Sequence, residues 1–84
     1  MKFITTKDRE GKEELFIFPR NIDHDAMAEV LGHIKDKTHW NWSRVFRAPV
    51  SAGFVEGGQC FGMSETLKLK ARPEDNMLLA AQWI

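Results

Sequence analysis

Apolar and polar positions alternate most regularly between Arg44 and Leu69, where two arms fold about the glycine pair Gly57-Gly58. A two-residue turn of the glycine-rich type sets Glu56 opposite Gln59. The pairs that follow are Phe54 with Phe61, Ala52 with Met63, Val50 with Glu65, Ala48 with Leu67 and Phe46 with Leu69, and all but Glu65 are apolar. A slip of one residue would bring Arg47, Ser51, Ser64 and Lys68 onto that face, so the pattern predicts one long hairpin in this register. Phe54 and Phe61 are its expected central aromatic pair. A second hairpin is predicted ahead of it, from Lys2 to Lys7 and from Glu13 to Phe18, with the break at Asp8-Arg9-Glu10-Gly11-Lys12. Leu15-Phe16-Ile17-Phe18 is a continuous apolar run, which predicts a strand covered on both faces and interior to the sheet. Pro19 ends it by removing a ladder donor.

The period then becomes helical. Asp23 has the chemistry of an N-cap, Ile22 and Met27 occupy the two positions of a hydrophobic staple, and Met27, Val30, Leu31 and Ile34 form one apolar stripe. The predicted helix runs from about Asp23 to about Asp36 and lies on the sheet. Near the end of the chain Pro73 suits the first turn of a short helix, with Glu74 and Asp75 at its positive end. Met77, Leu78, Ala81 and Ile84 are the residues expected to dock it. The order is ββαββα: an α+β fold with a four-stranded antiparallel sheet of two hairpins, a helix on one face and a short C-terminal helix, formed by residues 1–84 as one domain.

Composition narrows the function classes. The 84 residues carry 12 basic and 12 acidic side chains, a formal net charge of zero, so the broad positive field behind non-specific nucleic-acid or membrane-surface binding is missing. A core this small gives modest stability unless two copies share a surface. One cysteine, Cys60, excludes an internal disulfide framework and a cysteine-based zinc site, which points to a reducing cytoplasm. The opening residues Met1-Lys2-Phe3-Ile4 run directly into polar ones, so no signal peptide or membrane span is expected there.

No catalytic constellation emerges. Asp25, Glu29 and His33 share a helical face at spacings of four, but a metal site needs a further ligand, and an ordinary solvated acid-imidazole face accounts for them. His24 and His39 add no motif. Cys60 has no neighbour that marks it as activated. Gly57-Gly58 precedes a strand and not a helix, the wrong context for a phosphate loop. Neither an enzyme nor a cofactor or metal is expected.

Two features remain. In the long-hairpin register the other face sets Arg47 opposite Lys68, Val45 opposite Lys70, Pro49 opposite Thr66, Ser51 opposite Ser64 and Gly53 opposite Gly62. Facing cations call for an anionic neighbour. Either an acid of this chain, such as Glu13, Glu14 or Glu65, supplies it, or the strip recognises an anion. In the second case Arg47, Lys68 and Lys70 give charge, Ser51, Ser64 and Thr66 give hydrogen bonds, and Gly53 and Gly62 permit close approach. The other feature is His39-Trp40-Asn41-Trp42, where one tryptophan is expected to plug the core and the other, near Arg44 and Arg47, to make a contact.

The run from Gly62 to Asp75, GMSETLKLKARPED, with Leu78-Leu79 after it, resembles the C-terminal segment of small uncharacterised proteins encoded by tailed bacteriophages and prophages, and Pro49 to Val55 is similar too. The similarity covers about half the chain. Those proteins often carry a glycine between the two leucines and a serine before the arginine, where this chain has Lys68 and Ala71, so the basic strip is not implied by the resemblance. What it implies is a bacterial cytoplasm and an accessory role. The expected function is therefore non-enzymatic binding and modulation of a host or phage protein, with a protein partner or a second copy and no membrane. The alternative is a small nucleotide- or nucleic-acid-binding protein that uses Arg47, Lys68, Lys70 and a stacking Trp40 or Trp42.

Overall fold

The computed structural model describes residues 1–8, 10–37 and 48–82, and the side chains of the first helix as far as Leu31. The elements are β1 (Lys2–Lys7), β2 (Glu13–Phe18), α1 (His24–Lys37), β3 (Ala48–Glu56), β4 (Gln59–Phe61), β5 (Met63–Ser64), β6 (Leu69–Lys70) and α2 (Pro73–Gln82). β2-β1-β3-β4 form a four-stranded antiparallel sheet, and β5 and β6 form a small separate pair. The fold is α+β, as the periodicities predict.

β1 is the axis of the sheet. It pairs with β2 on one side, Phe3 with Ile17 and Thr5 with Leu15, and with β3 on the other, Ile4 with Ala52 and Thr5 with Ser51. The second pairing shifts between Thr5 and Thr6, so that Thr6 meets Pro49 and Val50 is the extra residue of a bulge. Proline fits there because a bulge requires no ladder donor. Successive residues of a strand point to opposite faces, and both faces are covered. On one, Phe3, Leu15, Cys60 and Leu79 form a buried cluster with Ile17, Val55, Ala71 and Leu78 against it. On the other, Ile4, Phe18 and Ala52 are joined by Met27, Ala28, Leu67 and Leu69. α2 therefore packs on one face and α1 on the other.

Covering both faces explains the apolar run of β2, and it also corrects the expected position: among the described residues β2 is an edge strand. Interior and doubly covered are different properties, and only the second is encoded in a run of apolar residues.

The turn at Gly57-Gly58 forms as predicted, with both glycines at positive φ (60° and 78°), and the pairs Glu56 with Gln59 and Phe54 with Phe61 hold. Beyond Phe61 the expected register is overturned. Gly62 turns the chain at φ 76°, Ala52 pairs with Ile4 rather than Met63, and Glu65 to Lys68 form the turn between β5 and β6, with Lys68 at φ 57°. A Cβ on Gly53 would collide with the Phe61 carbonyl oxygen and stand 3.2 Å from that of Gly62, so this glycine admits the crossing backbone of β4 and leaves no space for a ligand. Phe54 is half-buried and Phe61 is 47% exposed, so they are not the centre of the core, a place held by Phe3 and Ile4.

Both helices start where their caps are. The Asp23 carbonyl accepts from Met27 N–H to close the first turn of α1, whose Met27 packs on the sheet while Val30 is exposed. Ile34 lies outside the described side chains. α2 begins at Pro73, and Leu78 docks it as expected, joined by Leu79; Met77 and Ala81 are exposed instead, and Ile84 lies outside the described residues.

Candidate functional site

The predicted strip does not assemble among the described residues. Trp40, Trp42, Arg44 and Arg47 lie outside them. Ser51 is fully buried and its hydroxyl donates to Asp75 Oδ1 at 2.7 Å. Ser64 is buried as well, 3.2 Å from Thr66 Oγ1 and accepting Leu67 N–H at 3.2 Å. Thr66, Lys68 and Lys70 are exposed, in or next to the β5–β6 turn. The register that aligned Ser51 and Ser64 with the lysines ends at Phe61, and the hydroxyls it offered for binding are used inside the fold.

Sequence reasoning missed the polar cluster that Ser51 belongs to. Arg72 and Asp75 bracket the first turn of α2 as a capping pair, in which Asp75 Oδ2 accepts the Arg72 backbone N–H at 2.7 Å and the Arg72 carbonyl accepts Asp75 N–H at 3.0 Å. Asp75 Oδ1 then accepts from Thr5 Oγ1 at 2.8 Å, Ser51 Oγ and Arg72 Nη2 at 3.0 Å; Asp75, Thr5 and Ser51 are fully buried, while the Arg72 side chain is 24% exposed. Thr5 and Ser51 are cross-strand partners, so β1 and β3 deliver two hydroxyls to one oxygen. Arg72 continues outward to Glu13 on β2, Nη2 to Oε1 at 2.8 Å. Burial alone would push the Asp75 carboxyl up, but the bonds from Arg72, Ser51 and Thr5 outweigh it and hold the pKa below the ordinary value. The Arg72 hydrogen bond lowers Glu13 likewise. Every Asp75 oxygen is already engaged, so the cluster ties α2 to three strands. Its faint sequence signal was Arg72-Pro73-Glu74-Asp75, while Ser51 reads from the sequence as lying on the face away from the apolar one.

Chemistry is equally quiet at Cys60. Burial, with Asp75 nearby, pushes its thiol up to about 11, so it is a packing residue. Among the described residues no group of three or more histidine, cysteine or acidic side chains is placed to hold a metal, and no helix is long and apolar enough to cross a membrane.

The open chemistry lies beyond the glycine turn, on the α1 side of the sheet. Phe61 and Met63 (51% exposed) stand on either side of Gly62, and Phe54 lies against Phe61 with ring centroids 6.0 Å apart. Phe54 is held from within: its ring meets His24 edge-on at 5.7 Å, and His24 meets Phe18 the same way at 5.5 Å. His24 is buried and donates from Nε2 to the Gly53 carbonyl at 2.9 Å; the carbonyl can only accept, so Nε2 carries the proton. A cleft of about 310 Å³ runs along one side of Phe54, lined by Met1, Arg20, Val55, Glu56 and Phe61. Another of about 260 Å³ is also bordered by Phe54, with Lys2, Asp23, His24, Met63, Ser64, Glu65 and Thr66. The result is an exposed aromatic and methionine surface, Phe54, Phe61 and Met63, bordering two clefts with charged residues in their linings. No family model matches this chain, and comparison with curated proteins and with solved structures finds no similar protein.

Proposed function

We propose that this chain is a non-enzymatic protein-binding module whose contact surface is the Phe54-Phe61-Met63 ridge. The observation that carries the reading is the exposure of Phe61 and Met63, two residues apart in the chain, on a scaffold that supports Phe54 from beneath through His24 and Phe18. Aromatic residues and methionine are enriched at the centres of protein interfaces, where a polar rim surrounds an apolar core. Arg20, Glu56, Lys2 and Asp23 supply such a rim. The resemblance to phage and prophage proteins suggests a bacterial or phage protein as the partner and modulation of it as the outcome. The nucleic-acid reading is weaker: Ser51 and Ser64 are engaged internally, and two exposed lysines in a neutral protein hold little phosphate.

The test compares the intact chain with Phe61→Ser/Met63→Ser and with Lys68→Ala/Lys70→Ala in capture from bacterial lysate, with and without nuclease. One protein retained by the intact chain and the lysine variant, lost by the ridge variant and indifferent to nuclease, is the expected result. Capture that depends on the lysines or on nucleic acid overturns the reading.

A further inference from the structure

The larger cleft lies where three strands end. Met1 extends β1 by one residue, its carbonyl accepting Val55 N–H at 2.8 Å. By the order of the sheet it stands between Arg20, two residues past the end of β2, and Glu56, the last residue of β3. Neighbouring strands are about 4.8 Å apart, so about 10 Å separates β2 from β3 here. Glu56 shares one face of β3 with Phe54, because successive residues alternate. Arg20, Glu56, Phe54 and Phe61 all line this cleft of about 310 Å³. Arg20 and Glu56 are exposed, and among the described residues neither takes part in an ion pair.

We infer, resting on the protein-binding reading, that the element of the partner seated here carries an acidic and a basic side chain on one face with an apolar one between them. The acid meets Arg20, the base meets Glu56, and the apolar group fills the cleft against Phe54 and Phe61. A partner that covers Phe61 takes water from the charges beside it, and a covered charge without a counter-charge is costly. Arg20 and Glu56 do not neutralise each other, so the partner must supply both signs, each in its own place. In an extended segment, residues four apart lie on one face about 13 Å from each other, enough to reach from β2 to β3 with the middle residue over the cleft. The second cleft sets no such pattern, because its Lys2 already donates to the Ile22 carbonyl at 2.8 Å and stands 4.0 Å from Asp23.

The experiment follows the amide NMR spectrum of the full chain during titration with capped pentapeptides: Glu-Ser-Phe-Ser-Lys, Glu-Ser-Phe-Ser-Glu and Lys-Ser-Phe-Ser-Lys. The mixed peptide should shift the Val55, Glu56 and Phe61 amides and bind about fivefold or more tighter than either like-charged one, each exposed pair being worth about twofold to fivefold. Arg20→Glu should move the preference to the doubly basic peptide, and Glu56→Lys to the doubly acidic one. Arg20→Gln/Glu56→Gln should level all three, and circular dichroism verifies that the variants fold. A preference that neither reversal changes, equal binding of the three peptides to the intact chain, or no saturable shift with any of them overturns the inference. If Phe61→Ser/Met63→Ser loses a captured protein that both charge reversals retain, the contact surface stands and the charge pattern falls.

Discussion

Replacing Asp75 tests whether the α2 cap is the joint of this fold. In Asp75→Ala four donors lose this acceptor: the Thr5 and Ser51 hydroxyls, the Arg72 backbone N–H, and the Arg72 guanidinium, which is left with the Glu13 carboxylate. Glu13 keeps Arg72 from being fully orphaned, which moderates the loss. Removing one member of a buried ion pair costs about 3 to 5 kcal/mol, most of what a domain of this size has if its total lies near the low end of about 5 to 15 kcal/mol. Asp75→Asn separates charge from shape. It keeps an acceptor for the hydroxyls but sets an amide N–H₂ against the Arg72 N–H, for a cost of about 2 kcal/mol. Urea denaturation at neutral pH measures both. The pH dependence supplies the sign: a carboxyl whose native pKa lies below its unfolded value stabilises the fold above the unfolded value, about 3.9 for Asp, and loses that contribution as pH falls through the native one. The gap between the intact chain and Asp75→Asn should therefore be constant from pH 7 down to about 4, given that reference value, and narrow below it. A loss under about 1 kcal/mol for Asp75→Ala, the size of an ordinary exposed pair, or a gap that widens in acid, would refute the joint.

Two further outcomes follow from the same packing. Gly53→Ala drives a Cβ into the Phe61 carbonyl, and because the obstacle is backbone it should cost about 1 to 3 kcal/mol as overpacking does; an unchanged melting curve would mean that β4 does not cross there. Cys60, buried and with its thiol pushed up to about 11, should resist iodoacetamide at pH 8 in the folded chain and react at once in denaturant; rapid native labelling would contradict its place in the core.

Local chemistry was legible in the residues. The glycine pair and the Phe54-Phe61 alignment follow from a two-residue turn, the start of α1 from Asp23, and the start of α2 from Pro73 and the acids after it, because turns and caps are decided within about four residues. The α+β class follows from which period each segment carries. Alternation, however, says which face a residue occupies and not which strand lies beside it. Ala52 takes Ile4 as its neighbour in β1, and the Met63 expected on its other side is lost because the chain turns at Gly62, ends β4 at Phe61 and pairs Met63 with Lys70. The same ambiguity hid the fate of the polar residues: Ser51 on a strand reads as solvent-facing or ligand-facing until a helix from the end of the chain brings Asp75 to it across 24 residues. The pairing of Gln82 with Leu15 carries no sequence signal for a like reason, since the partner is a backbone 67 residues away and any residue there but proline would offer the same two groups. Period and caps are fixed by near neighbours; burial, partner and exposure are fixed by contacts whose closure depends on the whole fold.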